Sequence, residues 1–193
     1  MAGPLFVGVW AVQALTREGF EVGRHPVSLL ALGEFGWVQI ASFVITGALL
    51  VLAGAGLRPR WGGALIAGFG VGMVVAGVFV TDAGAGFPAG APAGAPESTS
   101  WHGILHELGF VLASLCWTAA AIGFAVHFLR RRQWAAGAAT VAVLLAVLAL
   151  AAWPDTDGIP IRLVIATALQ LGSVAALAAI PSMVRPGRPL VVA

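Results

Sequence analysis

Residues 35–57 read FGWVQIASFVITGALLVLAGAGL. This stretch carries no charged side chain, and it is long enough to cross a hydrocarbon core, which takes about 20 helical residues. Apolar residues cover nearly every face of the helix it would form, as expected when lipid rather than water is the surrounding solvent. The stretch therefore predicts a transmembrane α-helix.

Four further segments have a similar length and character, and they are residues 61–81, 102–129, 134–153 and 160–180. A sixth apolar segment, residues 2–16, is shorter. No basic region precedes it, so the pattern favours a short or tilted first transmembrane helix over a signal peptide, with a true start upstream of Met1 as a further alternative. The sequence thus predicts an all-α integral membrane protein, a six-transmembrane-helix bundle in a single membrane domain over residues 1–193.

The composition of the whole chain supports a membrane location. Hydrophobic residues make up 60% and charged residues 9%, whereas soluble domains carry about 25% charged residues. The mean hydropathy is +0.97, and a soluble core of this size could not bury so much apolar surface. The basic residues are all arginine, which can indicate nucleic-acid binding. Because these arginines lie at helix ends, the expected partner is membrane lipid and no nucleic acid is expected.

The connections between the helices differ in charge. Two links and the tail carry only basic charges, namely Arg58, Arg60, Arg130, Arg131, Arg132, Arg185 and Arg188. The other three connections, 17–34, 82–101 and 154–159, hold the acids Glu18, Glu21, Glu34, Asp82, Glu97, Asp155 and Asp157. Cytoplasmic loops of membrane proteins carry an excess of arginine and lysine. The pattern therefore predicts a multi-pass protein of the cell membrane with both termini in the cytoplasm.

The connection 83–100 reads AGAGFPAGAPAGAPESTS and is rich in Pro, Gly and Ala. This composition favours an extended, polyproline-like chain. We expect the connection to have little core of its own and to act as a spacer between two helices, with a mobile lid as the alternative.

Two histidines at the start of the fourth predicted helix belong to a cluster of titratable residues at one membrane face, and the cluster is more informative than the pair alone. His102 and His106 are spaced i, i+4, so both rings lie on one face of the helix. Two such imidazoles can share a zinc ion, and Asp82 can complete the site because it closes the preceding helix on the same membrane face. His25 or Glu34 is the candidate for the remaining position. The sequence thus predicts a candidate divalent-metal site.

An open coordination position at such a site would hold a water of lowered pKa, which suits hydrolysis. Ser28 and Glu34 are the candidate catalytic residues, with Ser28 placed to orient a substrate. The alternative is a structural polar cluster, in which the histidines hydrogen-bond Asp82 and Glu34 and in which Ser98, Thr99 or Ser100 caps the helix. Arg162, near the start of the last helix, is predicted to form a structural ion pair, with Asp82, Glu34 or Asp157 as its counter-ion.

Common catalytic motifs are absent, since the chain contains no P-loop and no GxSxG, CxxC or HExxH pattern. Three functions therefore remain open: a metal-dependent, lipid-directed hydrolase; a non-enzymatic membrane component whose polar cluster is structural; and a small-molecule binder or transporter. Internal repeats and broken helices, which are typical of transporters, are not evident, so the third function ranks below the others. The sequence does not decide whether the protein is an enzyme.

Three stretches together resemble one known family, and they are HPVSLLALGEFGWVQIASFVITGALL (25–50), GVFVTDAGAGFPAGAPAG (77–94) and SWHGILHELG (100–109). They are similar to the domain-of-unknown-function 998 family of small multi-pass membrane proteins, which is widespread in bacteria and archaea. The resemblance implies a six-helix membrane protein and no established activity. The recurring positions of the family correspond here to Pro26, Ser28, Gly33, Gly36, Trp37, Asp82, His102, Gly103, His106 and Arg162.

Overall fold

A computed structural model describes residues 2–96, 98–154 and 158–184. Within these residues the chain forms six α-helices, which are α1 (Ala2–Thr16), α2 (Gly36–Gly56), α3 (Arg60–Val78), α4 (Trp101–Arg130), α5 (Trp134–Ala152) and α6 (Ile159–Ala179). Short 3-10 helices cover Val27–Ala31 and Pro181–Met183. Several charged residues used in the orientation prediction lie outside the described residues, namely Glu97, Asp155, Asp157, Arg185 and Arg188.

Five of these helices, α2 to α6, are long and apolar enough to cross a membrane. Helix α1 is apolar too but has only 15 residues. The predicted all-α class is therefore confirmed, since the described part of the chain contains helices and no β-strand, and the five long helices suggest a multi-pass membrane protein. A sixth crossing, the cytoplasmic position of the termini and the single membrane domain stay predictions.

Glycines let the central helices approach each other closely. A Cβ atom at Gly47 or Gly54 of α2 would collide with the backbone of α3, and one at Gly72 of α3 would collide with the backbone of α4. Helices in lipid gain little from burying apolar surface, so close backbone contact supplies much of the attraction between them. Helices α2, α3 and α4 accordingly form the most tightly packed part of the bundle.

We call the two ends of the bundle the Asp82 end and the Arg58 end, each after a residue that lies there. At the Asp82 end, α1 and α3 finish while α2 and α4 begin. At the Arg58 end, α2 finishes and α3 begins, and the Arg58 N–H donates to the Met183 carbonyl at 2.7 Å. This bond ties the segment after α6 to the link between α2 and α3. The connections that the charge pattern assigned to one membrane face therefore meet at one end of the bundle.

The connection between α3 and α4 is folded, which corrects the expectation of an extended spacer without a core. Phe87 is 3% exposed, and its ring packs edge-on against Phe20 with the centroids 5.5 Å apart. The Ala85 N–H donates to the Gly94 carbonyl at 2.7 Å, which closes the loop on itself. One buried aromatic side chain thus anchors a segment whose composition predicts no core. The resulting small hydrophobic cluster consists of Phe20, Leu29, Leu30 and Phe87.

Candidate functional site

Asp82 fastens the end of α3 to the start of α4. Its carboxylate accepts hydrogen bonds from the Ser100 N–H at 2.9 Å and from the Ser100 hydroxyl at 2.5 Å. The Ser100 oxygen in turn accepts the Gly103 N–H at 3.0 Å, as the N-cap of α4. The hydroxyl bond from Ser100 is the main cause that holds the pKa of Asp82 below its ordinary value, since it favours the charged carboxylate. Gly103 is required here because a Cβ atom would collide with that carboxylate.

The two histidines of α4 bind carbonyl groups at the end of α3. His106 Nδ1 lies 2.7 Å from the Ala76 oxygen and 3.1 Å from the Phe79 oxygen, and His102 Nδ1 lies 2.8 Å from the Val80 oxygen. Carbonyl oxygens only accept, so each Nδ1 carries the proton and donates it. The last carbonyls of a helix have no partner inside that helix. The histidines therefore satisfy them from the neighbouring helix.

Asp82 and His102 thus lie close together, and His106 lies one helical turn beyond His102 on the same face of α4. The Asp82 carboxylate lies 4.0 Å from His102 Nδ1, and the nearby histidines add to the factors that lower the pKa of Asp82. Within the described ranges, no group of three His, Cys, Asp or Glu side chains is arranged to hold a metal ion. The zinc site stays a prediction.

His25 lies in a separate set of contacts. Its ring is buried and packs between Phe20 and Phe87, with both pairs of centroids 5.4 Å apart. Nδ1 accepts the Glu21 N–H at 2.8 Å, so Nε2 carries the proton and donates to the Ala85 carbonyl at 3.0 Å. Both ring nitrogens therefore have protein partners, and the side chain ties the connection after α1 to the loop after α3.

The remaining predicted site residues are spread over the same end of the bundle. Glu34 is exposed in the turn before α2, where its charge acts on Arg17. Ser28 lies half-buried in the 3-10 helix Val27–Ala31. Arg162 lies in the first turn of α6 and has an interaction partner of its own. The ion pair between Arg162 and Asp82 and the catalytic roles of Ser28 and Glu34 stay predictions.

A cavity of about 490 Å³ lies at the Asp82 end. Helices α1, α2, α3, α4 and α6 contribute to its walls, together with the 3-10 helix at Val27–Ala31 and parts of the connection after α3. Polar side chains surround its mouth, and they are Ser28, Thr81, Asp82, Thr99, His106 and Glu107. The deeper wall is mostly apolar, with Phe6, Phe43, Phe69, Met73 and Phe110, while Ser114 and Gln170 add polar groups near the base. The ionisable side chains of the lining therefore all lie at the Asp82 end, and the deeper wall is uncharged and mostly apolar.

The part of the cavity wall that α4 and α6 supply lies on the Asp82 side of Trp117. The Trp117 Nε1–H donates to the Ser173 hydroxyl at 3.1 Å and joins these two helices away from the Asp82 end. Nearer that end, Glu107 and Phe110 of α4 and Leu163 of α6 line the cavity, and Phe110 is 47% exposed. Helix α6 packs mainly against α5 and α1. The exposure of Phe110 shows that this wall of the cavity reaches the surface of the bundle.

The sequence did not predict this cavity, nor that Glu107 lines it. Glu107, Phe110 and Ser114 recur at helical spacing, so they share one face of α4. The same spacing relates the cavity residues of α6, which are Leu163, Thr167 and Gln170. A mixture of polar and apolar residues on one face of α4 and one face of α6 is the signal that could have indicated the cavity. The signal is weak in this chain, because apolar residues occupy every face of the helices.

Comparison with known proteins gives one family. The sequence profile of that family, described as protein of unknown function (DUF998), matches residues 1–184. No curated protein and no solved structure matches the chain. The match includes all six helices and the three stretches that carry the resemblance in the sequence. The chain therefore belongs to the DUF998 family of proteins of unknown function.

Proposed function

We propose that this protein binds an amphiphilic molecule from the membrane, with the hydrocarbon part inside the cavity and the head group at the Asp82 end. The observation that carries the proposal is that the ionisable side chains lie at one end of a single cavity whose deeper wall is uncharged and mostly apolar. Small-molecule sites are mostly apolar clefts in which a few polar groups fix the orientation of the ligand. The volume of about 490 Å³ lies within the range of about 300–1,000 Å³ that such sites have.

The depth of the cavity suits a hydrocarbon chain. Phe69 lines the interior, and it precedes Val78, the last residue of α3, by nine residues. At about 1.5 Å per residue this corresponds to about 14 Å along the helix. A hydrocarbon core is about 30 Å thick. A chain that entered between α4 and α6 could therefore lie beside Phe69 and Phe110 at about the depth of one lipid leaflet.

The charges at the mouth favour a cationic head group. Asp82 and Glu107 provide carboxylates, and His106 keeps a lone pair on Nε2 because its Nδ1 is protonated. No arginine is found among the described residues that line the cavity. An ammonium head group would gain charge-assisted hydrogen bonds there, whereas an anionic head group would meet two negative charges.

The contacts of the predicted metal ligands support binding over hydrolysis. Asp82 bonds Ser100, His102 bonds a carbonyl of the α3 end, and His25 uses both ring nitrogens. A catalytic zinc site needs three protein ligands directed at one ion, and no three His, Cys, Asp or Glu side chains are so arranged among the described residues. His25 would also have to give up one of its present partners, whereas Asp82, His102 and His106 keep lone pairs that their present bonds leave free. Binding of an amphiphile requires no converging set of ligands. Zinc-dependent hydrolysis therefore stays a prediction beside this proposal.

Isothermal titration of the purified protein in a mild non-ionic detergent tests the proposal. The probe is dodecyltrimethylammonium at submicellar concentration, and dodecanoate is its anionic control. We expect the cation to bind and the anion to bind at least about tenfold more weakly. Glu107→Gln should weaken binding of the cation about tenfold. Glu18→Gln is the matched control, because it neutralises an exposed carboxylate that does not line the cavity.

A cavity-filling variant tests whether the probe binds inside the cavity, independently of whether the site prefers a cation to an anion. Ser114→Phe places a ring near the base of the cavity, so binding of the cationic probe should be lost while the protein keeps its helical circular dichroism. Normal binding by a folded Ser114→Phe protein would overturn the proposed site. Equal binding of the cation and the anion, with Ser114→Phe still inactive, would overturn only the assignment of the head group.

A further inference from the structure

A second polar cavity lies at the Arg58 end, on the opposite side of the bundle from the proposed amphiphile site. Its volume is about 640 Å³. Three arginines contribute to it, from the link between α2 and α3 and from the end of α4. The described residues that line it are Arg58, Pro59, Arg60, His127, Arg131, Gln133, Ser182 and Met183.

These arginines come from distant parts of the sequence and lie close together because of how the helices pack. The link after α2 is held by the hydrogen bond from the Arg58 N–H to the Met183 carbonyl at 2.7 Å and by the bridge between Leu57 and Val184. Arg131 directly follows α4 and donates its N–H to the His127 carbonyl at 3.2 Å. The start of α3 and the end of α4 are brought together by side-chain packing, since the Trp61 and Phe124 ring centroids lie 5.2 Å apart. The mutual repulsion of the arginines is not relieved by any acid among the described lining residues.

The helix dipoles explain only part of this arrangement. Arg131 follows the C-terminus of α4, where a cation is favourable. Arg58 and Arg60 instead stand at the N-terminus of α3, where a cation is unfavourable and an anion is favoured. Pro59, the N-cap of α3, supplies no side-chain hydrogen bond to the free N–H groups of the first turn. Membrane orientation accounts for arginines at this end of the bundle, but it does not require them to line one cavity.

We propose that the cavity at the Arg58 end binds a phosphate group, and that the phosphate belongs to the head group of an anionic lipid. Arg58, Arg60 and Arg131 would contact its oxygens, since guanidinium groups match phosphate geometry. The uncapped N-terminus of α3 favours the same negative charge. Basic pockets between helices on the cytoplasmic side of membrane proteins bind anionic head groups.

Thermal melting of the purified full chain in detergent tests the proposal. The probes are dihexanoyl phosphatidylglycerol, dihexanoyl phosphatidylcholine and inorganic phosphate at equal concentration. Phosphatidylglycerol should raise the Tm, and phosphatidylcholine should have a smaller effect.

In titrations, the double variant Arg58→Gln/Arg131→Gln should bind phosphatidylglycerol about tenfold more weakly than the wild type does. Arg130→Gln/Arg132→Gln removes two arginines of the same end that do not line the cavity, and it should bind within about twofold of the wild type.

The outcomes separate the two sources of the phosphate. Stabilisation by phosphatidylglycerol alone supports a lipid head group, and equal stabilisation by inorganic phosphate supports the phosphate site while overturning the lipid source. Equal losses in the two double variants, or no loss in Arg58→Gln/Arg131→Gln, would overturn the site. If that variant does not fold, a salt series on the wild type decides, since affinity that does not fall with ionic strength would contradict binding by arginines.

Discussion

At the scale of single residues, Asp82 combines a structural contact with a place in the proposed binding site. Its two carboxylate oxygens each accept a hydrogen bond from Ser100, and the same side chain lines the mouth of the cavity. The side chain is 15% exposed, so a ligand can approach it. An ionised carboxylate has about four lone-pair sites. Asp82 can therefore accept a bond from a head group while it still holds the start of α4.

The structural part of this role predicts the effect of Asp82→Asn. The substitution removes the charge and turns one acceptor into an amide N–H₂ group that faces the donors of Ser100. We expect the free energy of unfolding to fall by about 1–3 kcal/mol, measured as a lower Tm in detergent. Gly103→Ala should destabilise the protein through the same contact, because its Cβ atom would displace the carboxylate.

Acid titration is the control for this prediction. The pKa of Asp82 is lowered in the folded protein, so its stabilising contribution is complete above the unfolded value of about 3.9. The contribution is lost as the pH falls below that value and through the folded pKa. The Tm of the wild type should therefore drop more steeply than that of Asp82→Asn between about pH 4 and pH 2. Parallel curves would show that the carboxylate does not stabilise the fold.

At the scale of helices, α1 and α2 meet through a polar contact inside the bundle. Gln13 Nε2 donates to Gln39 Oε1 at 2.7 Å, and the two side chains are 5% and 0% exposed. Gln13 Oε1 and Gln39 Nε2 have no hydrogen-bond partner among the described residues. Each side-chain amide thus has one of its two polar atoms in a hydrogen bond. Substitution of either glutamine would leave the amide of the other without any partner.

A double-mutant cycle should reveal this contact. Gln39→Leu alone leaves the Gln13 amide buried and unpaired, so we expect a loss of about 1–3 kcal/mol. Gln13→Leu/Gln39→Leu removes the whole polar pair and should be no less stable than either single variant. The coupling energy should be about 0.6–1.7 kcal/mol, as for hydrogen bonds between other membrane helices. Thermal melts of the four proteins measure it, and losses that simply add would rule out a contribution from the bond.

The helices could be predicted because lipid demands long apolar segments with all backbone groups paired. The end of α3 shows the limit of that reasoning, since it lies at Val78 and not at residue 81 as predicted. The carbonyls of Phe79 and Val80 bond the histidines of α4, so the chain can leave the helix early. The placement of His102 and His106 on one face of α4 follows from their helical spacing. The folded loop and the cavity do not follow from any local pattern, because they depend on contacts between distant residues.

At the scale of the whole molecule, the cavities at the two ends are lined by charged side chains of opposite sign. Among the described residues, the cavity at the Asp82 end is lined by acids and no arginine, and the one at the Arg58 end is lined by arginines and no acid. A third, apolar cavity of about 140 Å³ lies between α4, α5 and α6. Trp117 and Ser173 line that small cavity. Their hydrogen bond lies about one helical turn beyond Ser114 and Gln170, which line the proposed amphiphile site.

Trp117 is therefore expected to limit the length of the chain that the amphiphile site accepts. Its ring is 1% exposed, and Trp117→Leu removes both its bulk and its bond to Ser173, which should join the two cavities. This prediction rests on the proposed function. In titrations with alkyltrimethylammonium probes, the chain of highest affinity should lengthen from dodecyl in the wild type to hexadecyl in Trp117→Leu. Trp134→Ala, which removes an exposed tryptophan, should keep the wild-type profile. An unchanged profile in a folded Trp117→Leu protein would show that the chain does not reach Trp117.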